Sequence, residues 1–198
     1  MTKEEKYLQL FEETLESCLK EISELAETFF KTDKNENIEA QEKFKNHYLL
    51  NVYFLILNIA MYNDDVNPEE RQIIEEMQNR INLFSILEVT TEKETPVDLS
   101  GFISGPHKLF LEYIENRMKP IIFSFYYHVA FTEVTTRKDE SSHDLFLKII
   151  DGIKKLCILF MLVDEEDKEE REYIIDLVVR TQFDIYNQSY KTAVTYYG

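Results

Sequence analysis

Hydrophobic residues recur at helical spacing along most of the chain. Between residues 3 and 31, Leu8, Phe11, Leu15, Leu19, Ile22, Leu25 and Phe29 stand three or four apart with Glu and Lys between them, which predicts one long amphipathic helix. The polar stretch Lys31 to Glu39 interrupts the pattern. A second helix is then predicted to reach about Tyr62 through LLNVYFLILNIAM, which is apolar on most sides and is therefore expected at the centre of the fold. In NDDVNPEERQIIEEM, Asn67 is placed to cap a helix and Pro68 to occupy its first turn, so a third helix is expected to run to about Phe84. Thr90, Thr91, Pro96, Gly101, Gly105 and Pro106 mark the longest irregular connection.

The second half repeats this order. A long helix is predicted from about His107 to Val134, with Pro120 expected to kink or divide it. TEVTTRKDESS ends it, a further helix spans about Ser142 to Val163, and after DEED a last helix carries EEREYIIDLVVRTQFDIYNQ. The tail TAVTYYG is expected to fray or to dock through its tyrosines. Shifting the numbering by one hundred brings Met61, Asp64, Glu69, Glu70, Arg71, Ile74 and Arg80 onto Met161, Asp164, Glu169, Glu170, Arg171, Ile174 and Arg180. The expected fold is an all-α bundle of about six or seven helices built from two similar three-helix halves, 1–88 and 107–198, joined by a connecting loop at 89–106.

Composition agrees with long helices and few connections, since 198 residues contain only four glycines and four prolines and 44% of them are hydrophobic. The formal net charge is −16. Such a balance opposes binding to nucleic-acid phosphates or anionic membranes and favours a protein partner with a basic surface. Residues 1–99 hold 22 acidic and 10 basic side chains, a net of −12, which leaves −4 for the remainder. No apolar run is long enough for a transmembrane segment, and the charged start MTKEEKYLQLFEE is unlike a secretory signal, so a cytoplasmic location is expected. Cys18 and Cys157 lie far apart in apolar helical stretches and read as two buried thiols.

The two acidic turns are the main candidates for chemistry. As hard oxygen ligands, Asp64, Asp65 and Glu69 in the first and Asp164, Glu165 and Glu169 in the second are candidates for a divalent cation such as calcium. Neither stretch has the glycine that an EF-hand loop requires at its sixth place. The spacing fits capping boxes instead: Asn67 stands three before Glu70, and Asp167 three before Glu170. Each would stabilise its helix start by roughly 1–2 kcal/mol.

AMYNDDVNPEER and FMLVDEEDKEER resemble the signature turn of the TerB-like family, bacterial helical proteins named for tellurite resistance, over about thirty residues in each half. The resemblance implies an all-helical fold, involvement in stress or defence systems, and metal binding at the turn. The family usually writes this turn with Asp then Gly, where this chain has Asn63–Asp64 and Val163–Asp164.

Elsewhere, His47, His107, His128 and His143 form no paired spacing and the cysteines form no C-x-x-C, so zinc has no support; His128, within FSFYYHVAF, reads as a hydrogen-bonded core residue. No phosphate-binding glycine loop occurs. GFISGP lacks the order of a nucleophile elbow, and carboxylate pairs such as Glu12 with Glu16 read as a polar helix face. No catalytic residue and no cofactor is assigned. Tyr186, Tyr190, Tyr196 and Tyr197 are candidate partner anchors where the last helix leaves them exposed. The sequence thus reads as a non-catalytic adaptor or sensor in a bacterial stress, defence or secretion-linked system. The alternatives are an immunity protein or nucleic-acid mimic that inhibits a basic toxin or DNA-binding enzyme, and a divalent-metal sensor. A homo-oligomer is compatible with each.

Overall fold

A computed structural model describes residues 3–30, 36–62, 66–81, 107–136, 143–163 and 168–197. These form six helices: α1 (Lys3–Phe29), α2 (Glu36–Tyr62), α3 (Pro68–Arg80), α4 (His107–Thr136), α5 (Asp144–Val163) and α6 (Lys168–Tyr197). No strand occurs among the described residues, so the fold is an all-α bundle.

The helices follow their apolar rows. In α1, Phe11, Leu15, Ile22 and Ala26 are buried while Glu5, Glu13, Glu16 and Glu24 are exposed, as one amphipathic face requires. In α2 the pattern is different, because almost every side chain from Phe44 to Ala60 is buried and only Lys45, Phe54 and Asn58 are half-buried. This is the central helix that its unbroken apolar run predicts, and it touches α1, α3, α4 and α5. Buried side chains from all six helices join in one core that includes Phe11, Ile56, Met77, Phe125, Phe160 and Tyr186.

Several boundaries differ from the sequence reading. Helix α3 stops at Arg80 rather than Phe84, and Ile81 leaves the helix in an extended conformation with its amide bonded to the Gln78 carbonyl. The expected connection at 89–106 lies outside the described residues. Pro120 does not divide α4, which runs unbroken through it; the missing proline amide removes one helical hydrogen bond without ending the helix. The tail does not fray, since α6 stays helical to Tyr197, whose ring packs edge-on against Phe131 at a centroid distance of 4.8 Å.

The long helices pair both between and within halves. Helix α1 lies along α5, α4 lies along both α6 and α2, and α2 meets α5. Exchanging α1–α3 for α4–α6 turns the α1–α5 pair into α4–α2 and leaves α2–α5 unchanged, but it turns the extensive α4–α6 pair into α1–α3, which scarcely touch, so the exchange preserves only part of the pairing. Glu76–Arg80 and Asp176–Arg180 also form the same ion pair one turn apart, at 2.9 and 2.6 Å. The equivalence does not reach the helix faces: Ile73 and Met77 are buried in α3, whereas Tyr173 and Leu177, one hundred positions on, are exposed in α6. Helix α6 is turned about its axis relative to α3.

Gly152 sets the approach of α1 to α5. A Cβ at this position would stand 2.9 Å from the Cys18 sulfur and 3.7 Å from the Tyr48 hydroxyl. Cys18 is half-buried here, Cys157 is buried, and both are free thiols. Burial raises the Cys18 pKa and pushes that of Cys157 up to about 12, so both remain protonated near neutral pH and act as packing groups. Replacing Gly152 by Ala gains about 1 kcal/mol of helix propensity but introduces an overpacking cost of about 1–3 kcal/mol. Gly152→Ala is therefore expected to lower stability in urea unfolding, and to raise it in a Cys18→Ala background, where the obstructing sulfur is gone.

Candidate functional site

The first acidic turn forms a complete capping box. Asn67 is extended, with φ −70° and ψ 166°; its side-chain oxygen accepts from the Glu70 amide at 2.8 Å, and the Glu70 carboxylate accepts from the Asn67 amide at 3.0 Å. Pro68 needs no amide partner at the first helical position, and Glu69 and Glu70 sit against the positive end of the helix. Glu70 is fully buried, so its carboxylate is part of the packing between α3 and its neighbours. Glu69 is half-buried and Glu169 exposed. Asp64, Asp65, Asp164, Glu165 and Asp167 lie outside the described residues, as does the side chain of Glu170. Among the described residues, no three His, Cys, Asp or Glu side chains converge as metal ligands would.

A second convergence was not foreseen in the sequence. Glu133, near the end of α4, is buried, and its Oε1 accepts from the amides of Leu145 at 3.0 Å and Phe146 at 3.3 Å. It therefore caps the start of α5 from another helix, where free amides and the helix dipole favour a carboxylate. Its Oε2 accepts a hydrogen bond from the Tyr186 hydroxyl of α6. His143, which precedes α5, places Nδ1 2.7 Å from that hydroxyl and 3.8 Å from Oε2. Phe146 stacks on the Tyr186 ring at 4.0 Å and Tyr190 meets the His143 ring edge-on at 4.9 Å. One carboxylate thus ties together α4, α5 and α6.

The proton inventory of this cluster fixes the role of Nδ1 in His143. A carboxylate holding two amides at a helix start is the natural acceptor for the single Tyr186 proton. Tyr186 then has only lone pairs to offer His143, so Nδ1 must carry a hydrogen and donate it. The arrangement orients an imidazole, as a carboxylate does in many enzymes, while also performing a plain structural task.

A third polar group lies deeper. The Asn51 amide of α2 donates to the Gln182 side-chain oxygen of α6 at 2.7 Å, Gln182 returns a bond to the Asn51 oxygen at 3.3 Å, and Tyr126 of α4 donates to the same Gln182 oxygen at 2.5 Å. All three residues are buried. Burial drives the Tyr126 pKa far above its ordinary value, so the hydroxyl remains a donor.

The candidate partner anchors divide between interior and surface. Tyr186 is only 1% exposed, which removes it as an anchor: its ring fills the core and its hydroxyl serves Glu133. Tyr190 is half-buried against His143. Tyr196 and Tyr197 are 74% and 56% exposed, on the last turns of α6. The expected hydrogen bond of His128 is present, from Nδ1 to the Ser124 carbonyl at 2.7 Å, on a half-buried ring. Glu16 binds Arg80 of α3, while Glu12 is drawn toward Glu76, and desolvation together with that neighbouring carboxylate raises the Glu12 pKa.

No protein-family model matches the chain, and no curated protein or solved structure is significantly similar to it.

Two predictions follow from these polar groups. In 15N NMR spectra near neutral pH, His143 is expected as the Nδ1–H tautomer. Glu133→Gln, whose amide group can donate toward Tyr186, should turn the Tyr186 proton to His143 and switch it to the Nε2–H form; an unchanged tautomer in that variant would refute the assignment. Glu133→Ala should cost about 3 kcal/mol in urea unfolding, because the Leu145 and Phe146 amides and the Tyr186 hydroxyl lose a charged acceptor.

His47 of α2 gives a pH dependence. Burial, with smaller contributions from Lys43 and His128, pushes its pKa from 6.5 down to about 4. The unfolded chain therefore binds the proton more readily between pH 4 and 6.5, and His47 makes stability fall as pH falls through that window, by on the order of 3 kcal/mol in total. Urea midpoints measured at pH 7.5 and 4.5 should show a smaller acid loss for His47→Gln than for the wild type.

Proposed function

We propose that this chain is a non-catalytic helical interaction protein, an adaptor or sensor that engages a basic protein partner in a bacterial stress, defence or secretion-linked system. One observation carries the reading. The buried polar groups at Glu70, Glu133 and Gln182 each bond helix to helix or cap a helix start, whereas Tyr196 is exposed and Tyr197 keeps more than half its surface exposed beside Phe131, on a chain of net charge −16. Exposed tyrosines supply contact area at modest entropic cost, and the carboxylates steer a cationic surface toward it. The likeness of the two acidic turns to TerB-like proteins supplies the cellular context. No helix among the described residues is long and apolar enough to cross a membrane.

The concentration of charge in residues 1–99 favours a second reading, an inhibitor that occupies a basic toxin or DNA-binding enzyme. Affinity capture from the native host at low and high salt separates the two. An adaptor should retain moderate partners whose recovery drops at least several-fold in Tyr196→Ser/Tyr197→Ser and survives salt in part. Recovery of a single nuclease-like protein, abolished by salt and indifferent to the tyrosines, would instead establish the inhibitor.

A further inference from the structure

We draw no further inference here: the strongest candidate, the exposed apolar pair Tyr173 and Leu177 on the outer face of α6, supports none because nothing in the structure shows what covers it and the adjacent Asp176 is already neutralised by Arg180.

Discussion

The fold depends on hiding α2 from every side. A helix whose side chains are nearly all buried from Phe44 to Ala60 cannot form a bundle with its own hairpin partners alone, and α4 and α5 from the second half complete its enclosure. Its burial brings Asn51 along, and a polar side chain in that position must find partners or lose the free energy of its hydration. Gln182 and Tyr126 meet this demand with geometry that only one register of α2, α4 and α6 allows. The apolar surface drives the association of the halves, and the amide pair selects how they meet.

The same logic recurs at the ends of helices. Local capping serves α3, where Asn67 and Glu70 stand three residues apart. The start of α5 is served at a distance by Glu133, which adds Tyr186 and His143 to the same carboxylate. Both carboxylates are buried, and each orders its surroundings through backbone amides, Glu133 through a hydroxyl as well. This is an economical reason for an acidic protein to place some of its acids inside.

Much of this was legible in the residues. Helical spacing located the six helices, though α6 runs nine residues past the segment read as helical, the apolar run identified α2 as central, and the Asn67–Glu70 spacing identified a cap that forms as expected. Glu133 was illegible because it sits in a polar stretch where a carboxylate reads as solvated, and Tyr186 lies 53 positions away from it. Tyr186 misled for a related reason. Periodicity identifies a stripe but not how far a helix is rolled, and α6 shows the core a different face from the one that α3 shows at the matching positions. Pro120 does not divide α4 because a long helix held on two sides can lose one hydrogen bond and continue.

The distance between Asn51 and Gln182 also orders events during synthesis. The two are 131 positions apart, so the ribosome releases the most apolar helix long before the residue that completes its polar bonding exists. Before α4 and α5 are made, α2 has α1 and α3 for company, and the nascent chain presents a greasy surface beside a dense field of carboxylates. Like-charge repulsion between such chains keeps neighbouring copies apart while the waiting helix is unshielded, which makes the acidity of the first half a safeguard against clumping as well as a feature of the finished protein.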